Sequence, residues 1–170
     1  KIVGGLLNFA RKNQVNISDI NFINLLEHSI SSVISPANVK ISLESHVNDP
    51  EASLDYDQMA QVFTNLLKNA IEAMPENGGN ILLKAIDDAE GFTVYIVDNG
   101  SGIAKENMGK LFTPFFTTKT IGKGTGLGLP IIYGIVKMHK GSITVKSNAD
   151  PLKGTTGTTF TITIPRRQTT

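Results

Sequence analysis

Apolar residues recur at Val62, Phe63, Leu66, Leu67, Ala70, Ile71 and Met74, the spacing of one face of an α-helix over residues 61–74. Ser18 and Asp19 are N-cap types, and they predict a helix over about 19–34 with Ile20, Phe22, Leu25, Leu26 and Ile30 inward, stopped by Pro36. Residues 39–47 alternate apolar and polar, as a half-buried strand does. A short extended piece over 52–56 follows, and Asp57 is the expected cap of the helix after it. Pro75 to Gly79 breaks that helix. Two strands, 81–86 and 92–97, read as a hairpin across 87–91. A helix is expected from Gly126 to about Lys140, then strands over 142–146 and 158–164. Residues 1–14 carry an apolar stripe weakened by Gly4 and Gly5 and read as the end of a truncated helix. This order predicts an α+β two-layer sandwich: a five-stranded mixed, mostly antiparallel sheet with three helices on one face.

Between residues 99 and 128 the pattern changes. Seven of the sixteen glycines fall between Gly100 and Gly128, a connection long enough to be a binding loop or lid. It carries three of the eight phenylalanines, Phe112, Phe115 and Phe116. These either anchor a lid or pack the base of the loop. The 170 residues suit one domain, 15–170, behind the helical end at 1–14. A net charge of +1 leaves no electrostatic footprint for nucleic acid. The absence of cysteine excludes disulfides and thiolate metal sites, and no apolar run reaches membrane-spanning length. A chain starting at Lys1 is expected to be a fragment of a larger protein.

Three constellations carry chemistry. Asn65 and Asn69 lie four apart and share a helix face; they are either surface carboxamides or oxygen ligands for a hard cation shared with phosphates. Asp98 ends an apolar strand and precedes Asn-Gly-Ser-Gly. It makes either an Asx turn or an acceptor for a ligand donor such as the adenine amino group. Gly122 to Gly128 leads into a helix, where backbone N–H groups suit phosphates. The spacing is neither a P-loop nor a dinucleotide fingerprint, and Asp98 does not open a calcium loop.

Taken in order, Asn65/Asn69, Asp98 to Gly102, the three phenylalanines, Gly122 to Gly128 and Gly157-Thr158 resemble the N, G1, F, G2 and G3 boxes of sensor histidine kinase catalytic domains. These belong to the gyrase, Hsp90, histidine kinase and MutL superfamily, and the resemblance covers about residues 20–165. NLLKNAIEAMP and LFTPFFTTK look most like the nitrogen-regulation type. The resemblance implies a Bergerat-type fold with a mobile ATP lid and with ATP and Mg²⁺ as cofactors. It implies that Asp98 binds the adenine amino group beside Gly100, Gly102 and Ile103, with Thr158 supporting that end. Asn69, assisted by Asn65, would ligate Mg²⁺, and Phe112 would belong to the lid anchor. Gly124, Thr125, Gly126, Leu127 and Gly128 would hold phosphates. Many relatives carry a lysine three residues after the second Asn, where this chain has Glu72, so the phosphate cation is expected from Lys68, Lys119 or Lys123.

ATPase relatives carry a general-base Glu four residues before the metal-binding Asn; here that position is Asn65, and an amide takes no proton at neutral pH. The resemblance therefore implies a protein histidine kinase, with a nucleotide-sensing module or an ATPase as alternatives. His28, His46 and His139 lack the acceptor context, and His46 and His139 are expected on the surface. The acceptor is expected on a dimerising hairpin upstream. The expected partners are that hairpin and a response regulator, in a homodimeric full-length protein; the fragment alone is expected to be a cytoplasmic monomer, the full protein either soluble or membrane-anchored.

Overall fold

In a computed structural model, residues 14–168 are described, so the helix expected over 1–14 lies outside them save for its last residue. The chain runs β1 (Ser18–Asn21), α1 (Phe22–Ser31), β2 (Val39–His46), β3 (Glu51–Leu54), α2 (Tyr56–Glu72), β4 (Gly79–Asp87), β5 (Gly91–Asp98), α3 (Gly128–Met138), β6 (Ser142–Asn148) and β7 (Gly157–Pro165). The main sheet has the order β2-β4-β5-β7-β6. β2 and β4 are parallel and the other pairs antiparallel, which makes the expected mixed, mostly antiparallel sheet.

Period-two alternation sets the core. β5 buries Phe92, Val94, Ile96 and Asp98, and β7 buries Thr158, Phe160, Ile162 and Ile164. Met59, Val62, Phe63, Leu66, Leu67 and Ala70 of α2 pack onto this face. Phe22 of α1 stacks on Phe92 at 4.1 Å between ring centroids and meets Phe63 edge-on at 6.0 Å.

Three expectations need correction. Residues 18–21 are a strand paired with β3, and α1 starts only at Phe22. Asp19 accepts the Ser53 hydroxyl at 2.6 Å, so it serves that pairing, and the cap is Asn21, whose side chain accepts Asn24 N–H at 3.0 Å. The cap of α2 is Asp55 rather than Asp57: its carboxylate accepts Gln58 N–H at 3.0 Å, and Asn16 N–H at 2.8 Å. His139 is fully buried, not at the surface. Its Nδ1 bonds with Ile135 O at 2.8 Å and its Nε2 accepts Asp55 N–H at 3.3 Å, which ties the end of α3 to the start of α2. His46 is exposed as expected and pairs with Glu44 at 2.6 Å.

Removing the α2 cap with Asp55→Ala is expected to cost about 1–2 kcal/mol. The readout is a lower urea midpoint with unchanged slope.

Candidate nucleotide site

The pleat that buries Phe92, Val94 and Ile96 also turns Asp98, at the end of β5, toward the helix layer. There it meets a cavity of about 630 Å³ between α2, the 99–127 segment and the start of α3. Asp98 is 7 % exposed, and it lines the cavity. Its Oδ1 accepts Gly100 N–H at 2.9 Å, so the Asx turn is real. The Thr158 N–H faces the carboxyl as well. A carboxylate can accept about four hydrogen bonds, so two backbone donors leave capacity for a ligand. Burial raises the Asp98 pKa from the usual carboxylate range, and the Gly100 and Thr158 N–H groups oppose that rise.

The Thr158 hydroxyl does not reach Asp98; it is held by Ser147 Oγ at 2.8 Å. Ser147 accepts from Ile103 N–H at 2.8 Å and donates to Gly157 O at 2.9 Å. This side chain joins β6, β7 and the loop after β5, and sequence reasoning did not single it out. Gly102 has φ of +74°, and a Cβ there would lie 2.0 Å from Asn148 O, so no side chain fits where the loop crosses β6.

The 99–127 segment contains one 3₁₀ helix, Lys105–Lys110. Its later part forms a loop closed at the base by Phe115 N–H donating to Gly126 O at 2.9 Å, with φ of 66° at Phe115 and 68° at Gly126. The three phenylalanines divide their work. Phe112 packs on Tyr133 of α3 at 5.3 Å, Phe116 lines the cavity and Phe115 is exposed. The anchor and the cavity wall are thus different side chains.

Of the residues expected at the site, Asp98, Gly102, Ile103 and Thr158 line the cavity. Asn69, Lys119, Lys123, Gly124, Thr125, Gly126 and Gly128 line its walls as well. Asn65, Lys68, Gly100, Phe112 and Leu127 are not in the lining. Asn65 is half-buried one turn before Asn69, and Lys68 is exposed. Lys119 pairs with Glu72, the last residue of α2. α3 begins at Gly128, two residues later than expected, so Gly124 and Gly126 belong to the loop.

A second recess, about 540 Å³, lies on the opposite face of the sheet, lined by residues such as Leu82, Val97, Lys146 and Thr159 that stand opposite one another in register. None of residues 100–128 lines it, so it lacks the glycine-rich cradle.

The family model described as "Histidine kinase-, DNA gyrase B-, and HSP90-like ATPase" matches residues 54–168. The chain belongs to this family. It is 35% identical over 168 residues to the sensor histidine kinase ZraS of Escherichia coli K12, covering 97% of this chain and 34% of that protein. It thus spans about a third of the length of that curated relative. Among solved structures, the catalytic domain of the histidine kinase ThkA superposes with a TM-score of 0.75 at 31% identity, over 90% of this chain and 97% of that one. ThkA in complex with the response regulator protein TrrA gives a TM-score of 0.76 at 27% identity, over 97% of this chain and 46% of that one. The fold expected from the sequence is the one these catalytic domains share. Among the described residues no helix is long and apolar enough to cross a membrane.

Proposed function

We propose that this domain binds Mg·ATP and passes its γ-phosphoryl group to a histidine on an upstream helical hairpin, from which a response regulator takes it. The observation that carries the proposal is the buried Asp98 carboxylate in the wall of a cavity whose lining also holds Asn69 and the glycine-rich loop. Asp98 accepts the adenine amino group, while Gly102 and Ile103 leave room for the flat ring. The N–H groups around Gly124 to Gly128 and the start of α3 receive phosphate oxygens. Lys119 and Lys123 bring positive charge to the same wall. Lys68, exposed and outside the lining, takes no part in this reading.

The residues fit a magnesium ion shared with phosphates. Among the described residues there is no group of three or more His, Cys, Asp or Glu able to hold a metal by themselves. Mg²⁺ carried by a nucleotide needs only one or two protein oxygens, and Asn69 supplies one from the cavity wall. Asn65 stands one turn before Asn69, outside the cavity lining, and would assist from there. When bound, the ion supplies charge neutralisation of the phosphates.

Kinase is favoured over hydrolase because no carboxylate stands at position 65. A neutral imidazole acceptor is already nucleophilic, so transfer depends mainly on positioning. ZraS and ThkA, both named as histidine kinases, support the same choice. The complex of ThkA with TrrA supports a response regulator as partner.

The test uses the chain, Mg·ATP and a separately produced acceptor hairpin. Acid-labile phosphate is expected on the hairpin, with very slow ATP hydrolysis by the chain alone. ATP binding without transfer would mark a nucleotide-sensing module, and rapid hydrolysis by the chain alone would mark an ATPase.

A further inference from the structure

The Glu72–Lys119 ion pair joins the last residue of α2 to the loop across 47 residues of sequence. Both side chains line the cavity beside Asn69. A carboxylate at the C-terminal end of a helix opposes the helix macrodipole, and it also faces the place proposed for the phosphates. A lysine at position 72 would be favoured on both counts. The loop is shaped around Lys119 as well. The Lys119 N–H donates to Thr117 Oγ1 at 3.1 Å, which sets the backbone turn. A Cβ at residue 124 would lie 2.9 Å from Lys119 Cδ and 2.6 Å from Thr117 Oγ1, so Gly124 leaves the track along which the lysine stem runs.

We propose that Glu72 is a latch that holds the loop closed through Lys119 when no nucleotide is present and surrenders that lysine to the triphosphate when one binds. The inference rests on the ATP-binding reading above. Lys119 is a flexible ammonium on a four-carbon stem, able to exchange one anion for another by rotating its side chain. Its charge is therefore borne by the loop and not by the helix, and the phosphates receive it only when the loop is in place. Glu72 competes with the phosphates for Lys119, so it weakens triphosphate binding and orders the empty site. It is a positioning residue that acts through Lys119.

The pair is half-exposed, with side-chain exposures of 39% for Lys119 and 52% for Glu72, which limits the effect to about two- to fivefold. In Glu72→Gln, backbone amides 117–125 are expected to exchange hydrogen faster by that factor without nucleotide. Mg·ATP should bind tighter by about the same factor, while adenosine, which carries no phosphate, should bind unchanged. Lys119→Gln should speed the same exchange and weaken Mg·ATP. In that background Glu72→Gln should no longer alter exchange and should tighten ATP much less. The charge swap Glu72→Lys/Lys119→Glu should restore slow exchange. Unchanged exchange in Glu72→Gln would overturn the latch. Equal tightening of ATP with and without Lys119 would overturn it too, since that is plain charge repulsion. Failure of wild-type chain to bind either adenosine or ATP would instead sink the nucleotide reading, while the exchange measurement would still test the closed pair.

Discussion

Asp98→Asn is expected to reduce ATP affinity by about 100-fold or more while leaving the fold intact. A hydrogen bond to a charged acceptor is worth about 1.5–3 kcal/mol, and Asn adds a penalty by turning an N–H₂ group toward the adenine amino donor. Stability should hold or rise slightly, because the carboxylate is buried and its charged form is disfavoured there. Isothermal titration with Mg·ATP, alongside thermal unfolding without nucleotide, separates the two effects. Unchanged affinity would remove Asp98 from the adenine site. The pH dependence carries its own sign. Burial raises the Asp98 pKa, so the folded, empty protein holds this proton to a higher pH than the unfolded chain does. Its stability contribution is therefore largest at low pH and is lost as pH rises through the raised pKa. ATP binding needs the ionised acceptor and runs the opposite way: affinity should fall as pH drops through that same raised value, above the ordinary Asp range of about 3.9. Asp98→Asn should abolish that dependence.

Much of this site can be read from local pattern. The alternation Phe92, Val94, Ile96 carries Asp98 onto the buried face, so a carboxylate in the core is visible before any coordinates. The register of β7 against β5 then places Thr158 opposite Asp98. What local pattern does not hold is who lies next to whom. Ser147 reads as an unremarkable strand residue until β6 pairs with β7 and sets it against Thr158. The parallel pairing of β2 with β4 depends on α2 crossing between them. Ser18 and Asp19 are cap residues by type, and only β3 alongside makes them strand residues. His139 is different, because its signal was present. Ile132, Ile135 and Val136 precede it at helical spacing, so His139 continues a buried stripe. Its polarity concealed a position that periodicity assigned to the core. The phenylalanines show a further limit: spacing marks all three as non-linker residues but cannot divide them into Phe112 against Tyr133, Phe116 at the cavity and Phe115 outside.

The largest loss of stability is expected from Arg166→Ala, far from the cavity. Arg166 Nη2 donates to Asp87 Oδ2 at 2.8 Å and to Asp88 O at 2.9 Å, and Nη1 donates to Asp49 O at 2.5 Å and to Glu51 O at 3.0 Å. Its guanidinium also lies 4.6 Å from the Phe92 ring centroid, beneath the ring that stacks on Phe22. One planar fork thus fastens the end of β7 to the β4–β5 turn and to the connection that leads into β3, a geometry that lysine cannot reproduce. The Asp87 side chain is 4 % exposed, so truncating Arg166 leaves a nearly buried carboxylate without its cation. Breaking such a pair costs about 3–5 kcal/mol, which for a domain of this size lowers the melting temperature by about 10 °C. Arg166→Lys should fall between wild type and Ala. The Asp87 pKa is held below the usual value, first by the Asn48 N–H and further by the Asp49 N–H and Arg166. Its contribution is thus complete above the unfolded pKa of about 3.9 and is lost as pH falls through the lowered native value. Urea unfolding from pH 7 down to pH 3 should show wild type losing part of its margin over Asp87→Asn only in the acid limb. A margin that stayed constant across the range would place the contribution of Asp87 in its hydrogen bonds as an acceptor and not in its charge.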